Sequence, residues 1–199
     1  MLRTRLVAAP VLVLLLAPAT AQKLTEGLFR NVELCNGASS PETRIEACSA
    51  FIEAGRGGPS SLSIAYNNRG IAYAAKADYD RAVADFESAI AIDPAFVKPL
   101  NNRGATRLKK GDYARAESDY AAATRLNADM EDAWSGLCWI RAVAGDPQAA
   151  METCDKAIGA GAHTASTYDS RALAHLNVNR RSNLTPHRRP ILTPLSGGF

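Results

Sequence analysis

Tyr66-Asn67-Asn68-Arg69-Gly70 returns 34 residues later as Leu100-Asn101-Asn102-Arg103-Gly104, and that echo decides how the rest of the chain is read. The match continues outward. Asp78, Tyr79, Arg81, Ala82, Asp85, Phe86 and Ala89 find Asp112, Tyr113, Arg115, Ala116, Asp119, Tyr120 and Ala123 at the same shift. A third copy is weaker but in phase, with Trp134 beyond Leu100, Asp146 beyond Asp112, Ala150 beyond Ala116 and Ala157 beyond Ala123. A fixed period of this length marks a stack of small units, each unable to bury its apolar face alone.

Within a unit the residue spacing predicts two antiparallel helices. Tyr66, Gly70 and Tyr73 make one stripe of a first helix, and Ala82, Phe86 and Ala89 one stripe of a second, at intervals of three and four. Small residues at Gly70, Gly104, Ala82 and Ala116 let the helices approach. Asp78, Asp112 and Asp146 recur in the turn, where a short carboxylate caps the next helix, and Pro147 suits the first helical position because its missing N–H would be unpaired there anyway.

The unit from Ser63 to Phe96 resembles the tetratricopeptide family, whose pattern sets a large apolar residue before Leu-Gly, then an aromatic, a small residue, an aromatic and a late proline. Tyr66, Gly70, Tyr73, Ala82, Phe86, Ala89 and Pro94 take those places, while Arg69 stands where the family has leucine. The resemblance implies an all-α, right-handed solenoid of antiparallel helix pairs, with the first helices lining a concave face that binds extended peptide. On that face would lie Asn67, Asn68, Ile71 and Ala75, then Lys98, Asn101, Asn102, Ala105 and Lys109, then Asp132, Ser135 and Trp139. The resemblance further implies that Asn68 and Asn102 bond a ligand's backbone, an apt role for an amide that both donates and accepts. Gly136 and Ser170 replace asparagine in the later units.

Further out the repeat decays. Setting Cys48 over Cys154 puts Ser40-Pro41 over Asp146-Pro147, Ile45 over Met151 and Gly55 over Gly161, so residues 25–54 read as a degenerate helix pair. Gly55 to Ser61, rich in Gly and Ser, reads as the linker. A fourth unit opens with Tyr168, Arg171, Ala172 and His175, but Pro186 and Pro190 fall inside its second helix. The expected organisation is a cleaved signal at 1–21, a helix pair and linker at 22–61, the array at 62–176 closed by one capping helix, and a disordered basic tail at 177–199.

Arg3 and Arg5, the apolar run Leu6 to Ala17, and the small residues Ala19, Thr20 and Ala21 form the pattern of a secretory signal. A membrane span needs roughly 20 apolar residues, and this run is shorter and broken by proline. No later segment is apolar enough to span. The sequence thus predicts a periplasmic or secreted protein without an integral membrane segment. Removing the signal leaves 21 basic against 20 acidic residues, and setting aside Arg180, Arg181, Arg188 and Arg189 leaves 17 against 20. The basic balance belongs to the ends, and the body offers nucleic acid no electrostatic surface.

Export puts Cys35, Cys48, Cys138 and Cys154 where disulfides persist, with three connectivities open. The repeat register favours one. Cys138 takes the slot of Gly70 and Cys154 that of Phe86, both facing the seam of a helix pair; Cys35 falls one turn further along its helix than Cys138, still on the inner stripe and opposite Cys48. Cys35–Cys48 and Cys138–Cys154 are therefore expected, four buried thiols being the alternative. Arg69 and Arg103 break the apolar stripe and recur with Asp85 and Asp119; both members change in the third unit, to Leu137 and Thr153, which suggests that they contact one another.

No HExxH, phosphate loop or GxGxxG is present, and His163, His175 and His187 have no metal-ligand spacing to a cysteine. His175 takes the slot of Tyr73 and is expected to face the core. The sequence implies no metal, no cofactor and no enzyme, but an adaptor or assembly factor of the bacterial cell envelope that binds a protein or peptide. The alternatives are a small thiol-redox enzyme using Cys138 and Cys154, and a truncated remnant of a longer array.

Overall fold

The computed structural model describes residues 27, 29–37, 40–55, 57–144 and 146–184, with the outermost side chains seen as far as 179. The expected signal at 1–21 lies outside the described residues, as does the tail from 185. Among the described residues there is no strand, only α1 (residues 29–36), α2 (Pro41–Ala54), α3 (Pro59–Ala75), α4 (Tyr79–Ile92), α5 (Val97–Lys109), α6 (Tyr113–Leu126), α7 (Glu131–Ala144), α8 (Pro147–Gly159) and α9 (Ala165–Leu184). The chain divides into two compact units, one ending at Thr106 and the other beginning at Arg107.

In the first unit α2 packs on α3 and α3 pairs with α4. Ser40 caps α2 by accepting the Thr43 N–H at 3.2 Å, with Pro41 behind it, and Asp78 caps α4 by accepting that of Arg81. Each cap satisfies a donor that no helical carbonyl can reach. The seam between α3 and α4 holds Ala82, Phe86 and Ala89, all at most 1% exposed. Gly70 is required there, since a Cβ at that point would stand 2.7 Å from the Phe86 ring. A second cluster joins Cys35, Ala47, Cys48, Phe51 and Ala65, with Val32 of α1 packed against it. Gly55 ends α2 in the left-handed region (φ 60°). The linker is shorter than expected, for Pro59 to Ser61 already form the first turn of α3: a proline at the first helical position starts the helix instead of delaying it.

In the second unit α6 packs on α7, α7 pairs with α8, and α9 packs on both α7 and α8. Asp112 and Asp146 cap α6 and α8 as Asp78 caps α4. The Tyr120 ring takes the place that a side chain at Gly136 would need, a Cβ there falling 2.5 Å from it. Helix α9 corrects the expected onset of disorder at 177, for it runs on to Leu184. Nothing between 177 and 184 breaks a helix, and the first proline, Pro186, restricts only the residue before it. His175 is a second correction, being exposed. Its slot-mate Tyr73 is half-buried, with Arg81 of the second helix of its own repeat 4.5 Å over its ring, and no such helix follows α9 among the described residues.

Candidate functional site

The sequence places the working surface on the first helices, and the two units fill it differently. In the first unit the asparagines form a chain of amides. Asn102 donates to the Oδ1 of Asn67 (2.9 Å), Asn67 to that of Asn68 (3.3 Å), and Asn68 to that of Asn36 (2.9 Å) and to the Cys35 carbonyl (3.3 Å). Asn67 is only 3% exposed, so it supports its neighbours and does not face a guest. Asn101 has its carboxamide oxygen buried without a donor. Ile71 is half-buried and Lys98 exposed. Beside Asn36, a cavity of about 310 Å³ opens between α1, α2 and α3, lined by Val32, Cys35, Phe51, Ile64 and Gly57 among others.

In the second unit the corresponding slots border a hollow. Trp139 of α7 and Ser166, Asp169, Ser170 and Leu173 of α9 line a hollow of about 320 Å³. Asp169 stands 102 positions beyond Asn67, Ser170 beyond Asn68 and Leu173 beyond Ile71, while Trp139 stands 68 beyond Ile71. Tyr113 leans on Trp139 with ring centroids 5.9 Å apart at 54°. Lys109, at the end of α5, is exposed. The sequence-selected residues thus come together as Asn67, Asn68 and Asn102 in one unit, and Trp139 with residues of α9 in the other.

A profile of the tetratricopeptide repeat matches residues 63–96, and a second tetratricopeptide repeat profile matches residues 102–164. This is a tetratricopeptide repeat protein. Solved structures agree in fold. The MamA protein is 17% identical with a TM-score of 0.68, matched over 80% of this chain and 86% of that one. A tetratricopeptide repeat protein from Parabacteroides merdae is 14% identical with a TM-score of 0.67, over 81% and 62%. The first tetratricopeptide domain of Spaghetti (RPAP3), bound to an HSP90 peptide SRMEEVD, is 18% identical with a TM-score of 0.58, over 60% and 95%. No curated protein matches in sequence.

Against the tetratricopeptide pattern, the arginine at the leucine slot finds its use. Arg69 grips Asp85 with two hydrogen bonds of 2.8 Å and reaches back to the Ser49 hydroxyl at 3.0 Å, tying α3 to both α4 and α2. Asp85 pulls the arginine's own proton affinity upward through that bond. Arg103 lies 3.7 Å from Glu87 of α4. Asp119 takes Arg107 at 2.7 Å, from one turn further along the first helix, and Arg141, 34 positions on, bonds Thr153 at 2.7 Å and Glu117 at 3.0 Å. Arg107 and Arg141 escaped the sequence reading because their slot holds Tyr73 in the first repeat and so shows no charge pattern.

The cysteines lie in pairs at bonding distance: Cys35 with Cys48 across α1 and α2, with Cα atoms 4.9 Å apart, and Cys138 with Cys154 across α7 and α8, at 4.8 Å. All four are at most 2% exposed. Among the described residues no group of His, Cys, Asp and Glu is placed to hold a metal, and no helix is long and apolar enough to cross a membrane.

Proposed function

We propose that this tetratricopeptide protein is a non-enzymatic scaffold of the bacterial cell envelope that binds an extended segment of a partner protein along its first helices. The observation that carries the reading is the hollow in the second unit, because its lining comes from the first-helix slots of two successive repeats and from little else. Support comes from the Spaghetti domain, a fold relative bound to a peptide. The export pattern at 1–21 and the paired cysteines support an oxidising compartment. Thiol-redox chemistry is disfavoured, since Cys138 and Cys154 are both 0% exposed and a catalytic pair must be reached by its substrate.

Alanine at Asn68 or Asn102 removes bonds the fold itself uses, so Trp139 is the cleaner probe. Selection of random displayed peptides on the oxidised protein, followed by NMR mapping, should give binders whose shifts gather on α7 and α9, with at least about tenfold loss of affinity in Trp139→Ala, the scale of an aromatic anchor. Shifts confined to α6 and α8, or no enriched peptide, would remove the reading.

A further inference from the structure

The geometry of the hollow points to the side chain it admits. We propose that the pocket between α7 and α9 takes a lysine or arginine of the bound segment, an inference that rests on the peptide-binding reading above. Trp139 supplies an aromatic face to the hollow, and Tyr113, 48% exposed, is tilted against that ring from outside the lining. A cation over such a ring is drawn to its negative quadrupole, indole most strongly. Across the hollow Asp169 is exposed, with no ion-pair partner among the described residues.

The described cations of α7, α8 and α9 are committed elsewhere. Arg171 donates to Asp155 at 2.7 Å, Arg141 to Glu117 and Thr153, and Lys156 lies over Trp134, 5.5 Å from its centroid; none lines the hollow. Ser170, 4% exposed, donates its Oγ–H to the Ser166 carbonyl at 2.7 Å, while Ser166 itself is exposed and lines the hollow with a hydroxyl able to accept.

The chemistry sorts candidate guests. An acidic side chain meets a lone carboxylate and is repelled. An aliphatic one desolvates Asp169 without compensation. A guanidinium stacks on the indole while its N–H groups reach Asp169 and the Ser166 hydroxyl, and an ammonium does the same with fewer donors. This preference is opposite to the acid-rich SRMEEVD seated in the Spaghetti domain.

The test uses the full oxidised chain in a Trp134→Phe background, so that Trp139 gives the sole indole signal. Capped heptapeptides Gly-Ser-Ala-X-Ala-Ser-Gly are titrated with X as arginine, citrulline or glutamate, beside the best peptide from display selection. Arginine should move the Trp139 indole resonance and bind about tenfold tighter than citrulline, the scale of a partly desolvated cation–π contact with an ion pair. Asp169→Asn should shrink that ratio to below about threefold without moving the melting temperature, as an exposed, isosteric change. Equal binding of arginine and citrulline, or selected peptides that bind Trp139 without a basic residue, would overturn the cation pocket and leave peptide binding standing. Failure of every peptide, selected ones included, would sink both. If arginine binds only a chain ended after Leu184, the occupant is the protein's own Arg188-Arg189 segment, and the assignment to a partner is overturned.

Discussion

A guanidinium in an apolar seam is stable only while its acid stays with it. Arg69 is 19% exposed and Asp85 8%, so removing either leaves a charge that water reaches poorly. Arg69→Ala is expected to cost about 2–4 kcal/mol in chemical denaturation, and Arg69→Leu with Asp85→Thr, the pair that the third repeat carries at these slots, distinctly less. An equal loss in both would mean that the charges act independently. Recurrence showed that Arg69 and Asp85 belong together; the use of Arg107 for Asp119 was hidden, because one helical turn separates two slots that reach the same carboxylate. Tyr120 offers a second test. Burial, with Asp132 and Asp119 nearby, pushes its phenol up to about 12, against 10.0 in the open. The folded state therefore holds the proton to higher pH than the unfolded chain does. Its contribution is intact below about pH 10 and fades as pH rises toward 12, by about 2–3 kcal/mol in full. Unfolding free energies measured from pH 9 to 12 should fall, and Tyr120→Phe should flatten that fall; an unchanged slope in the variant would show that the tyrosine is not the cause.

At the scale of helices, caps and seams follow from short-range pattern, whereas lengths follow from what ends them. Ser40, Asp78, Asp112 and Asp146 all cap where their spacing places them. The end of α9 was harder to see, because the repeat supplies a period but no stop signal after 176, and the chain simply continues helically until proline approaches. The short α1 depends most on its bridge, since residues 29–36 form too few turns to persist alone. Digestion without reductant should yield only Cys35–Cys48 and Cys138–Cys154 peptides; either other connectivity would contradict the geometry. Cys138→Ala with Cys154→Ala opens a crosslink spanning 16 residues, worth about 3 kcal/mol in chain entropy, and hydrogen exchange should quicken in α7 and α8 while α3 and α4 keep their protection.

For the molecule as a whole, the fold was open to reading because one period repeats, so every copy tests the others. The candidate site was only half open. The slots were identified, but whether a slot is filled by its neighbours, as at Asn67, or left empty, as beside Trp139, depends on side chains two helices away. Both crosslinks also close within a single hairpin, spanning 13 and 16 residues, and nothing covalent but the backbone joins residue 48 to residue 138. Duplication or loss of a 34-residue block between them would therefore leave each thiol with its accustomed mate.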